Sequence, residues 1–292
     1  MRLFLIRHGE TEHNVAGLLA GVTDSILTNH GVLQTQRLGK FLAQQRRLQF
    51  SQIFASDLQR AHMTAEAIRH AQTQQWPAAG SELQVIKLDL LREQNFGSFE
   101  LVPWSSKRAQ DALDPRVPDA TDPSFKPKET PEAMRARADA FLDDFMLPLL
   151  ALDEDTNEES VAIVSHGLFL ATLWRTLLSR FEPHTVSLGP AVESASVGRP
   201  LGHMPAWTNT GYLELDIAPL VQNDSLPSIF PAVGAGNTTN VTKLHGYRMT
   251  VRAVNEKQHL QSLKRAGGGI GSATYDSRQR NLEGFFKRAR SN

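Results

Sequence analysis

Two segments of the 292-residue chain place a histidine and a glycine directly behind an apolar run. LFLIRHG ends in Arg7, His8 and Gly9, and VAIVSHG ends in His166 and Gly167. Between them lie Arg60, in SDLQRAHMTA, and Glu93, in LLREQNFGSFE. Arg7, His8, Arg60, Glu93 and His166 each follow a stretch that reads as a strand. If those strands run parallel, their carboxyl ends share one rim, where open α/β sheets carry their chemistry. Two arginines and two histidines meeting there form a positive pocket, and guanidinium forks match phosphate oxygens bidentately. An always-ionised carboxylate would weaken such a pocket, whereas a protonated Glu93 can give its proton to a leaving alkoxide. Glycine after each histidine lets backbone and ligand approach closely. Read alone, RHGE fits a surface loop with a stray charge pair equally well.

The elements needed to bring these residues together are legible along the chain. Short apolar runs predict strands at LFLI, SQIFAS, residues 83–89, VAIVS, residues 210–217 and residues 243–254. Helical spacing predicts helices after Thr28, through LQRAHMTAEAIRHAQ, from Pro131 through Phe145, and through GLFLATLWRTLLSRF. Strand–helix alternation of this kind implies an α/β fold, a mostly parallel central sheet flanked by helices on both faces. Five prolines between 103 and 127 mark residues 102–130 as an irregular excursion, and residues 183–205 read as an inserted loop. The sequence divides into an α/β domain over 1–254 and a basic C-terminal extension over 255–292. In that extension EKQHLQSLKRA reads as helical, with GGGIGSA as its stop and hinge.

Bulk composition narrows the alternatives. Apolar residues make up 40% and charged residues 21%, and 31 basic side chains balance 31 acidic ones. That balance gives no pointer to nucleic acid or an acidic membrane. The chain has no cysteine, which removes disulfides, thiolate metal sites and cysteine nucleophiles together. No stretch reaches the roughly 18 apolar residues of a membrane span. The opening run is too short for a signal peptide, so a cytoplasmic or nuclear protein is the expectation. His8 and His13, five apart beside Glu10 and Glu12, lack the spacing that puts metal ligands on one helix face, and no metal site is expected.

RHGET, SDLQRAHMTA, LLREQNFGSFE and VSHG, in this order, resemble the histidine phosphatase superfamily, also called phosphoglycerate-mutase-like. DSILTNHGVLQ is similar to that family's D-x-x-LT-x-x-G-x-x-Q pattern, and Asn209-Thr210 falls at its late Asn–Thr/Ser position. The resemblance implies that His8 attacks phosphorus, with Arg7, Arg60 and His166 holding the phosphoryl oxygens. It implies that Glu93 protonates the leaving oxygen and then activates water, and that Asn14 and Thr23 support phosphate or substrate. Gly167 belongs to the same substrate-binding set. No cofactor and no metal are implied, because the arginines supply the positive charge.

The segment EQNFGSFE resembles the phosphatase branch, E-x-x-F/W-G-x-x-E, rather than the E-R-H-Y of mutases. A phosphomonoesterase acting on a small phosphorylated substrate is therefore the leading expectation. A phosphoglycerate-type mutase and a non-catalytic phosphate-binding scaffold on the same fold are the alternatives. Lys107, Arg108, Arg116, Lys126 and Lys128 in the first insertion raise a second phosphate site, against the plainer reading of a solvated loop. Residues 252–292 hold nine Lys or Arg against three acids, and NLEGFFKRAR reads as a segment that docks on a protein partner or as a solvated terminus.

Overall fold

The apolar runs assemble into a seven-stranded sheet in the computed structural model, which describes residues 1–77, 82–107, 118–152, 159–195, 201–203, 207–220 and 243–276. The strands are β1 (Arg2–Arg7), β2 (Phe50–Ser56), β3 (Val85–Leu88), β4 (Ser160–Ser165), β5 (Val186–Leu188), β6 (Tyr212–Pro219) and β7 (Tyr247–Glu256). Their order across the sheet is β3-β2-β4-β1-β6-β7-β5. β4 pairs in parallel with both β1 and β2, and β3 extends that parallel half. Only β6 runs against its neighbours, antiparallel to β1 and to β7. The helices are α1 (Glu12–Ala16), α2 (Asn29–Lys40), α3 (Gln59–Gln75), α4 (Pro131–Phe141), α5 (Leu147–Leu152), α6 (Gly167–Arg180) and α7 (Pro190–Ala195). None of the described helices is long and apolar enough to cross a membrane.

Alternation along the central strands makes two cores. Leu3 and Leu5 of β1 and Val161 and Ile163 of β4 face a cluster with Phe141 of α4 and Phe169, Leu173 and Trp174 of α6. Phe4, Ile6, Ala162 and Val164 face the other way, onto Leu38 of α2 and Ala61, Ala65 and Ile68 of α3. Each such fully buried Leu, Ile or Phe contributes about 1.5–3 kcal/mol. Burial on both faces therefore pins the two central strands, and with them the residues at their carboxyl ends. The expected cap forms at Thr28, whose hydroxyl accepts from the Gly31 N–H at 2.9 Å, and Thr130 caps α4 in the same way, accepting from Ala133 N–H at 3.1 Å.

Three stretches differ from their sequence-based reading. Within 183–205, read as an inserted loop, Val186–Leu188 forms an edge strand parallel to β7 and Pro190–Ala195 a helix. Val186 is buried there, and the Gly189 N–H donates to Val251 O, so β7 recruits a run too short to show a period. EKQHLQSLKRA makes only the single turn Gln258–Leu260, because Ser262 adopts φ 60°, which no right-handed helix can contain. In the 102–130 excursion, residues 126–129 lie along 95–98 through Ser98 N–H to Lys126 O and Glu129 N–H to Asn95 O. Arg108, Arg116 and the segment NLEGFFKRAR lie outside the described residues.

Residues 257–276 form a strap across α2. Arg37 donates to Gln261 O, Asn29 N–H to Ala273 O and Tyr275 N–H to Leu27 O. Arg265 pairs with Glu10, two residues beyond His8. The packed structure thus continues well past residue 254.

Helix α2 packs tightly on the loop after β1 at Gly31. A Cβ on Gly31 would lie 2.0 Å from Glu10 O, a backbone atom that cannot swing aside. Gly31→Ala is therefore expected to cost about 1–3 kcal/mol or more. Urea unfolding should show a lower midpoint at unchanged slope, and parent-like stability would refute the contact.

Candidate active site

At the end of β1 the chain is held from several sides. His8 N–H donates to Ser165 O at 3.0 Å, and Arg7 N–H donates to Gly211 O at 3.1 Å. The Thr210 N–H is shared between Arg7 O and His8 O at 3.0 and 3.2 Å, and Asn209 Nδ2 donates to His8 O at 3.1 Å. His259, from the strap, sits 2.9 Å from the Thr210 hydroxyl through Nε2. The main chain of the catalytic candidate therefore has little freedom to shift.

The imidazole itself is oriented by its neighbour. His8 Nδ1 lies 2.7 Å from Gly9 O. A carbonyl oxygen can only accept, so Nδ1 carries the proton and Nε2 keeps its lone pair. Burial, then the positive charges of Arg60 and Arg7, hold the His8 pKa well below its usual value, and the Gly9 bond only partly opposes this. The ring is neutral and its free nitrogen is nucleophilic.

His166 stands 5.1 Å from His8, ring centre to ring centre, at the end of β4. Its Nδ1 accepts from Arg60 Nε at 3.2 Å, which puts the proton on Nε2. That Nε2 is buried and has no hydrogen-bond partner among the described residues. Burial, Arg60, His8 and Arg7 depress the His166 pKa strongly. Arg7 shows the same feature: Nη1 donates to Trp207 O at 2.5 Å, while the buried Nε has no partner. Leaving a buried donor unpaired costs about 1–3 kcal/mol, so two in one pocket mark a place for an acceptor-rich ligand.

Arg60, 1% exposed, is fixed by main-chain oxygens: Nη1 donates to Thr23 O at 3.0 Å, and Nη2 to Ala20 O and Gly21 O at 3.2 and 2.7 Å. Burial lowers the pKa of both arginines, and Glu93 opposes it through its negative charge. Glu93 comes from the loop after β3 and caps α6. Its Oε1 accepts from Phe169 and Gln94 N–H, both at 2.9 Å, and its Oε2 from Leu168 N–H at 3.1 Å. Carboxylate and His166 thus meet at one helix N-terminus, where backbone donors and the helix dipole favour negative charge.

All five residues selected from the sequence converge. The supporting residues take other parts. Asn14 Oδ1 accepts from Thr11 N–H and from Asn209 Nδ2, which fixes the orientation of the amide. Thr23 enters through its main chain, accepting from Arg60 and donating to Glu100 at 3.1 Å. The two glycines differ. A Cβ at Gly9 would lie 2.7 Å from Thr35 Cγ2 and 2.9 Å from Gly31 O, so Gly9 makes room for α2 rather than for a ligand. At Gly167 a Cβ would meet only Arg7 Nε, at 3.8 Å, so that glycine does open towards the pocket. Sequence reasoning missed Trp207, His259 and Arg265, which no local pattern marks. It quoted Glu100 within EQNFGSFE but assigned it no part.

Two buried guanidinium groups beside a neutral imidazole with a free Nε2, at the carboxyl rim of a mostly parallel sheet, make an α/β site suited to an anionic ligand. The chain belongs to the histidine phosphatase superfamily (branch 1), whose profile matches residues 3–197. A probable phosphatase of Schizosaccharomyces pombe is 28% identical over 284 residues, covering 96% of this chain and 78% of that one. The probable phosphoglycerate mutase GpmB of Erwinia tasmaniensis is 29% identical over 223 residues, 73% of this chain and 90% of that one. Among solved structures, the mycobacterial glucosyl-3-phosphoglycerate phosphatase in complex with VO3 has the same fold, with a TM-score of 0.54 at 21% identity. That match covers 87% of this chain and 98% of the other.

The depressed histidines make stability depend on pH. His8 and His166 titrate well below the usual value in the fold, and His259 is lowered to about 4 by burial. In the unfolded chain each titrates near ~6.5, so below that pH the unfolded state binds more protons. Their contribution is complete above ~6.5 and is lost as pH falls, by up to about 1.4 kcal/mol per pH unit for each histidine. Urea midpoints should drop between pH 7.5 and 5.5, and less steeply for His8→Asn. Equal slopes for the two proteins would contradict a buried neutral His8.

Proposed function

We propose that this chain is a metal-independent phosphomonoester hydrolase that works through a phosphohistidine on His8. The observation that carries this reading is the His8 Nδ1 contact to Gly9 O at 2.7 Å, which commits the proton to one nitrogen and frees the other. Nε2 attacks phosphorus in line as the P–O bond to the leaving group breaks. Phosphoryl oxygens take the unpartnered donors, His166 Nε2 and Arg7 Nε, and the charge of Arg60 stands beside them.

Glu93 serves both half-reactions. Oε2 accepts one backbone N–H and Oε1 two, so Oε2 has the lone pair to carry a proton. The acid form gives that proton to the departing alkoxide. The resulting carboxylate takes a proton from water as the water oxygen attacks phosphorus and the P–N bond breaks. His8 returns neutral and inorganic phosphate leaves.

Hydrolysis rather than phosphoryl return is supported by EQNFGSFE, in which Phe96 is buried and supplies no hydroxyl at the position where mutases of this family carry tyrosine. The relatives carry both names, so a mutase is the second reading. A small phosphorylated molecule is the substrate class either reading implies.

With chelator present, the purified chain should release phosphate from 4-nitrophenyl phosphate between pH 5 and 8. His8→Ala should lower kcat by roughly 10³-fold or more. In single-turnover transfer, Glu93→Gln should cost about 10²–10⁴-fold on an alkyl phosphate but under about tenfold on the aryl ester, whose leaving group needs no proton. Equal losses on both esters would remove Glu93 as the acid, and full activity in His8→Ala would remove the mechanism.

A further inference from the structure

Glu100 closes the segment that begins at Glu93, and the chemistry above makes no use of it. Its carboxylate accepts four main-chain N–H bonds: Gly21 at 3.0 Å and Thr23 at 3.1 Å on Oε2, Val22 at 3.2 Å and Phe96 at 2.9 Å on Oε1. Three consecutive amides of one loop thus face a single carboxylate.

A trans peptide is planar, and its N–H and C=O point in opposite directions. The unit joining Ala20 to Gly21 places its N–H on Glu100 and its carbonyl on Arg60 Nη2 at 3.2 Å. The unit joining Gly21 to Val22 does the same, with its carbonyl 2.7 Å from Arg60 Nη2. Thr23 adds a third link, N–H to Glu100 and C=O to Arg60 Nη1. Two peptide planes therefore stand between a carboxylate and a guanidinium, each polarised from both ends. Hydrogen bonds in such chains strengthen one another, and each end fixes the orientation of the other. The charge of Glu100 also favours the cationic form of Arg60. The loop's opposite edge is tied to the segment that carries Glu100: Leu19 N–H to Val102 O at 2.9 Å, Leu101 N–H to Leu19 O at 2.7 Å and Trp104 N–H to Gly17 O at 3.0 Å.

We propose that Glu100 is a positioning residue for Arg60, acting through the peptide units of residues 20–23 to hold the guanidinium against the phosphoryl group. This rests on the reading of Arg60 as a phosphate-binding residue. Glu100→Gln keeps the shape but substitutes a donor for one acceptor oxygen, facing backbone N–H groups that are donors themselves. The loop carbonyls then lose their orientation and Arg60 its seat.

The test is a double-mutant cycle of Glu100→Gln and Arg60→Gln, read by calorimetric Kd for inorganic phosphate and by kcat/KM for 4-nitrophenyl phosphate. Glu100→Gln is expected to weaken phosphate binding by about 10–100-fold in the parent and by less than about twofold in Arg60→Gln, with melting temperatures close to their parents. The same loss in both backgrounds, or none in the parent, overturns the relay while leaving the phosphate site standing. Unchanged phosphate binding and turnover in Arg60→Gln alone would overturn the relay together with the reading it rests on. If Glu100→Gln does not fold, Glu100→Asp enters the same cycle, and failure of both to fold assigns Glu100 to loop stability and overturns the proposal.

Discussion

Two guanidinium groups buried beside two imidazoles would repel one another and lose their hydration, so the structure around them is organised to supply oxygens. Carbonyls of Ala20, Gly21 and Thr23 face Arg60, and that of Trp207 faces Arg7. These dipoles carry no net charge, so they seat the cations without cancelling the field an anion would feel. Glu93 is a counter-charge to both arginines, and its oxygens are engaged by three N–H groups of the main chain. The histidines answer the same field by staying neutral, which leaves a lone pair on His8 Nε2 and a proton on His166 Nε2.

The parts of this arrangement that were legible in the sequence are those written in local pattern. LFLI and VAIV are buried on both faces, so they read as apolar runs and their last residues mark the rim. Thr28 announces a helix start because a cap needs a hydroxyl three residues before its N–H partner, and Pro131 announces another because the first turn needs no N–H from it. What stayed hidden depends on partners far along the chain. Val186–Leu188 is a strand only because β7 lies beside it, and Glu100 matters only because a loop some eighty residues earlier turns its amides towards it. Residues 257–265 look helical by composition, yet burial of His259 against Phe41 and Tyr212 and the left-handed Ser262 override that propensity.

Gly9 and Gly167 show how one motif can conceal two constraints. Both follow a histidine at the carboxyl end of a central strand, and sequence alone assigns them the same purpose. Gly9 is small because α2 presses Thr35 and Gly31 against the loop after β1, a demand of packing. Gly167 is free of such crowding and faces Arg7, a demand of the pocket.

The strap has a consequence for the order in which the site is completed during folding. β4, which holds the His8 main chain from one side, lies some 150 residues further along the chain. Thr210 and Asn209, which hold its carbonyl, come later still, and His259 and Arg265, which secure Thr210 and Glu10, come near the end of the described chain. Loop-closure entropy grows with the separation of the residues a contact joins, so the main chain at His8 is fixed by contacts that form late in folding.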